Sequence, residues 1–172
     1  MPNWCSGNIR FRGSKENILN LLKNEIIFCS YGEDRKIINH PITVNGDDID
    51  DIEIVSPSTE KGGWYYINGT ERAFMDWTDS FTYPNTFHEN RDTNQCICVF
   101  DGFRQAWSIE PENFKAMSEK YDVDIRIFGW EMGMCFSQEV EIIRGKVTKD
   151  IYNDYDYGKN WNWDCPMCFL GG

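Results

Sequence analysis

The chain has 172 residues, 41% of them hydrophobic and 15% aromatic, which predicts one packed core and leaves a second full domain unexpected. Its 17 basic and 28 acidic residues give a net charge of −11, which argues against direct nucleic-acid binding, because phosphate backbones are bound by neutralising them with Lys and Arg. No apolar run approaches the ~18 residues that span a bilayer, so a soluble, cytoplasmic chain without membrane contact is expected.

Trp4 to Arg12 alternates apolar and polar residues and predicts a first strand. Ser14 then offers an N-cap for an amphipathic helix carrying Ile18, Leu19, Leu21, Leu22, Ile26 and Ile27. From about residue 28 to 95 the pattern dissolves, and this stretch is expected to be an insertion after the first helix. Within it, Ile42-Thr43-Val44, Ile52-Glu53-Ile54-Val55 and Trp64 to Ile67 predict small strands. Thr70 to Trp77 predicts one or two helical turns, and Phe81 to Gln95 a long connection.

Cys96 to Trp107 predicts a strand, and Glu110-Pro111-Glu112 opens a helix with Phe114, Met117 and Tyr121 on one stripe. Asp124 to Trp130 and Cys135 to Ile143 form a β-hairpin turned at Gly133, and residues from about 147 to 172 form an acidic, aromatic C-terminal arm. The sum is one α+β domain over residues 1–172, with a mainly antiparallel sheet and two helices on one face.

Four patches carry a family resemblance. They are Pro2-Asn3-Trp4-Cys5, Asn68-Gly69-Thr70-Glu71-Arg72-Ala73-Phe74, Phe103-Arg104-Gln105-Ala106-Trp107-Ser108 and Trp130-Glu131-Met132-Gly133-Met134-Cys135-Phe136. Together they resemble the YubB-like (Api-like) family of small phage and plasmid proteins, although Asn68 and Arg72 stand where that family has tryptophans. The resemblance implies a ferredoxin-like fold and a mobile-element origin. It implies no reaction.

Seven cysteines, an odd number with no signal-peptide pattern before them, predict reduced thiols. Cys165 and Cys168 have zinc-knuckle spacing, and Cys96 with Cys98 could complete a tetrahedral set; the simpler account of the latter pair is two small buried hydrophobes on one strand face. Asp47, Asp48, Asp50 and Asp51 lack the spacing of a calcium loop and read as a solvated acidic segment. His40 and His88 have no nucleophile partner nearby, and no phosphate loop, dinucleotide fingerprint, HExxH or GxSxG is present. Neither an enzyme nor a cofactor is expected.

The expected function is therefore that of a non-enzymatic, anti-CRISPR-like inhibitor acting in a bacterial host. Its partner would be a nucleic-acid-binding defence protein with a basic groove, met by Asp47, Asp48, Asp50, Asp51, Asp154, Asp156, Trp161 and Trp163 imitating nucleic acid. The alternatives are a nucleotide signal caged by Trp64, Trp77, Trp107 and Trp130, and an accessory domain that forms a homo-oligomer.

Overall fold

The computed structural model describes residues 3–33, 36–40, 42–45, 53–55, 63–75, 81–82, 86–90, 93 and 95–155. The alternation read in the first segment builds β1 (Trp4–Gly13), which buries Cys5, Ile9 and Phe11 on one face and presents Trp4, Ser6, Asn8, Arg10 and Arg12 on the other. Ser14 caps α1 (Lys15–Glu25), its hydroxyl accepting from the Asn17 N–H at 3.2 Å. The expected helix was longer by two residues. The β-branched Ile26 adopts an extended backbone instead, and with Ile27 it starts β2 (Ile26–Tyr31).

The next strands are β3 (Ile37–His40), β4 (Thr43–Asn45), β5 (Glu53–Val55), β6 (Trp64–Ile67), β7 (Ala73–Met75), β8 (Phe81–Thr82) and β9 (Thr86–Asn90). They are followed by β10 (Gln95–Ala106), α2 (Glu112–Tyr121), the hairpin of β11 (Asp124–Glu131) and β12 (Phe136–Ile143), and β13 (Lys146–Asp154). Ten strands form one antiparallel sheet, in the order β13-β12-β11-β1-β10-β7-β6-β2-β3 with β9 also on β10, while β4, β5 and β8 form a second, small sheet.

This architecture corrects the expected one. The chain is not a small ferredoxin-like domain with two helices on one face: a ten-stranded sheet dominates it. The stretch taken for an insertion supplies β3, β6, β7 and β9 to that sheet. Thr70 to Met75 is not helical, because Arg72 sits in the left-handed region at φ 55° and turns the chain into β7. Strands β8 and β9 occupy part of the expected long connection.

Ile18, Leu21 and Leu22 of α1 and Phe114 and Met117 of α2 join the inward side chains of the sheet in one buried cluster. Each such side chain contributes about 1.5–3 kcal/mol on burial, so the amphipathic stripes dictate where the helices dock. At the centre, Gly7 of β1 faces Gly129 of β11, and a Cβ at Gly7 would collide with the Phe128 carbonyl. Ile109, between β10 and α2, lies over Gly129 and is 1% exposed.

The Ile109 backbone is held by the buried Gln138 side chain, which accepts from its N–H and donates to its carbonyl, both at 2.9 Å. Gln105, fully buried, accepts from the Glu110 N–H at 3.2 Å. Among the described residues, no helix is long and apolar enough to cross a membrane.

Candidate functional site

The sheet face turned away from the buried cluster carries a groove of about 720 Å³ over β1, β10, β7, β6, β2 and β3. Strand register explains its lining. Cys29 pairs with Trp64, Tyr66 with Phe74, Phe74 with Arg104 and Arg104 with Ser6, so alternate side chains of five strands converge on one face.

Among the described residues, five aromatic side chains line the groove: Trp4, Tyr31, Trp64, Tyr66 and Phe74. They touch in a row, with ring centroids 4.9 Å apart for Tyr31 and Trp64, 6.4 Å for Trp64 and Phe74, and 5.6 Å for Phe74 and Trp4. Among the described residues, Arg72 and Arg104 are the charged members of the lining, with no Asp or Glu. The Arg72 guanidinium sits 5.8 Å from the Trp4 ring centroid, within cation–π range.

Arg72 is placed by a pinned turn. Thr70 donates its hydroxyl and its N–H to the Ile67 carbonyl, and the Tyr66 hydroxyl donates to the Thr70 carbonyl. Gln105 Nε2 donates to the Glu71 carbonyl at 3.2 Å, and Ala106 N–H to the Arg72 carbonyl at 3.3 Å. At the other end of the turn, Asn68 donates through its backbone and side chain to Glu25 of α1, at 2.7 and 3.2 Å.

Glu25 also accepts from Lys120 Nζ at 2.8 Å and the Tyr121 hydroxyl at 2.6 Å. Burial works to raise its carboxyl pKa, but the hydrogen bonds from Lys120 and Tyr121, the Lys120 charge and the Asn68 bond together hold it below the ordinary value. A depressed folded pKa means stability that is present above the unfolded carboxyl value of ~4.3 and is lost as the pH falls through the folded pKa. Glu25→Gln should cost about 1.5 kcal/mol at pH 7 and make the remaining stability less sensitive to pH below about 4.3, as urea titrations at pH 7 and at acid pH would read. An acid limb as steep as that of the parent chain would remove Glu25 from this role.

The groove offers weak chemistry. Burial pushes the Cys29 thiol up, keeping it protonated, and it donates to Asn39 Oδ1 at 3.3 Å. His40, which is not part of the lining, shares a 2.8 Å hydrogen bond with Ser30, and His88 falls in β9 opposite Ile97.

Of the four residues expected to form a tryptophan cage, the three that are described do not come together. Trp64 lines the groove; Trp107 is 59% exposed just past the end of β10; Trp130 is buried on β11 against the Tyr155 ring, at 4.9 Å; Trp77 lies outside the described residues. Of the expected acidic partner surface, Asp154 ends β13 and is exposed, while Asp47, Asp48, Asp50, Asp51, Asp156, Trp161 and Trp163 lie outside the described residues.

Cys96 and Cys98 are both buried in the core, where desolvation, and then the neighbouring Cys96, raise the Cys98 thiol pKa. Cys165 and Cys168 lie outside the described residues, among which no group of three or more His, Cys, Asp or Glu is arranged to hold a metal ion. Sequence reasoning missed Trp4, Tyr31, Tyr66, Phe74, Arg72 and Arg104 as site residues. The available signal was the alternation itself, which sets Trp64 and Tyr66 on the face opposite the buried Tyr65 and Ile67.

No family model, curated protein or solved structure matches the chain. The likeness to the YubB-like family rests on the four sequence patches alone.

Proposed function

We propose that the protein is a non-enzymatic binding protein that holds a nucleotide-type ligand on this face, its base stacked on the aromatic row and its phosphate between Arg72 and Arg104. One observation carries this: in a chain of net charge −11, the described residues lining a groove of about 720 Å³ include five aromatics and two arginines and no carboxylate. Its volume lies within the range of about 300–1,000 Å³ typical of small-molecule sites. Stacking serves any base, because every base has a π-face, and it is worth about 1–3 kcal/mol per base.

Titration with adenosine, guanosine, cytidine and uridine 5′-monophosphates, followed by tryptophan fluorescence, tests it. Saturable quenching is expected, with Trp64→Ala and Arg72→Gln each weakening binding about tenfold, equivalent to ~1.4 kcal/mol. Absence of saturable quenching by all four, with folded protein, would overturn it.

Inhibition of a host defence protein remains the other proposal. Its support is the net charge and the family resemblance, and of its assigned surface only Asp154 is among the described residues.

A further inference from the structure

The ligand of this face, we propose, is a single-stranded nucleic acid whose backbone leaves the aromatic groove along β1 toward a second anion site at Arg10 and Arg126; this rests on the nucleotide reading of the groove and extends it. Three observations converge. The first is the row Trp4, Ser6, Asn8, Arg10 and Arg12, which continues the groove's face down the central strand of the sheet. From Trp4 to Arg10 this row covers about 20 Å, more than one nucleotide can reach.

The second observation is a charge conflict. Arg10 of β1 is paired directly opposite Arg126 of β11, and like charges placed opposite each other destabilise a sheet. Arg126 is engaged by Glu139, which also accepts from Lys149 at 2.6 Å. Arg10 is exposed and, among the described residues, has no ion pair. Glu139 already counters Arg126, and a phosphate beside Arg10 would supply the counter-charge that Arg10 lacks among the described residues.

The third is shape. Arg10, Arg12 and Arg126 border a second depression of about 150 Å³ on the same face. Two carboxylates also border it, and both are engaged: Asp124 by Arg12 at 2.9 and 2.6 Å, Glu141 by the Thr148 hydroxyl at 2.8 Å. Between the two depressions the track passes Asp101, opposite Asn8.

Net charge sums over every face, whereas a strand of phosphates feels the face it lies on. Arg10, Arg12, Arg72, Arg104 and Arg126 share this one with Asp101, Asp124, Glu139 and Glu141, of which Asp124 and Glu139 are paired with Arg12 and Arg126. The overall charge of −11 therefore does not exclude the ligand that it first argued against.

The test compares thymidine 5′-monophosphate with oligothymidylates of four and eight nucleotides, and an octauridylate separates RNA from DNA. Fluorescence titration should give at least a tenfold gain in affinity from monophosphate to octamer. The slope of log affinity against log salt should steepen by about 0.7 for each added phosphate contact. Arg10→Glu should weaken the octamer about tenfold, and Arg10→Gln less, with both flattening the dependence on length.

A monophosphate that binds while length adds less than about twofold would overturn the track and leave the groove. Octamer binding indifferent to both Arg10 variants would do the same. Failure of the monophosphate and every oligomer would overturn the groove as well.

Discussion

Replacing Gln138 with leucine is expected to lower the melting temperature by about 10 °C. The side chain lies on β12 and is 5% exposed, and its amide reads both the N–H and the carbonyl of Ile109 while donating a third bond to Asp150 Oδ1 at 2.9 Å. Leucine fills the space but leaves a buried backbone donor and acceptor unmatched, at about 1–3 kcal/mol each. A loss of about 3 kcal/mol corresponds to roughly 10 °C for a chain of this size. Thermal unfolding of the parent and the variant reads it directly. A shift below about 2 °C would mean that the segment before α2 is held by something else.

Gly7→Ala is expected to cost a similar amount, about 3 kcal/mol, for a different reason. The new methyl would meet the Phe128 carbonyl, a backbone atom that cannot rotate aside, so β1 and β11 would have to separate at the centre of the sheet. Gly13→Ala on the same strand supplies the comparison. There the nearest atom is a Val123 methyl at 3.2 Å, and a loss below about 1 kcal/mol is expected. Equal losses in urea denaturation would refute the close approach of β1 and β11.

How far the fold was legible depends on how long each element is. β1, β10 and the β11–β12 hairpin each run eight residues or more, long enough for alternation to show, and they lie close to where the pattern put them. β7 has three residues and β8 two, too few to display any period, so the same stretch read as helical turns and loop. Architecture followed from these short pieces: β3, β6, β7 and β9 turn a modest sheet into one of ten strands.

The site was less legible still. Trp4, Trp64 and Phe74 are far apart in the chain and meet only through the pairings of β10 with β1 and β7 and of β7 with β6. Tryptophan content pointed to aromatic recognition but selected Trp107 and Trp130, which serve a turn and an inter-ring contact. Arg72 reaches the groove through a left-handed backbone conformation that no periodicity announces.

The position of β1 also has a bearing on time. Trp4 pairs with Ala106 and Ser6 with Trp130, so β1 is synthesised well before β10 and β11, the two strands that flank it. At ~5–20 residues per second, a growing chain carries β1 for about 5 to 20 s before either neighbour exists. Folding dominated by such distant pairings is slow, on the order of milliseconds to seconds even for a finished chain. During synthesis the first strand, with its apolar side chains unburied, is thus the segment that a chaperone would encounter.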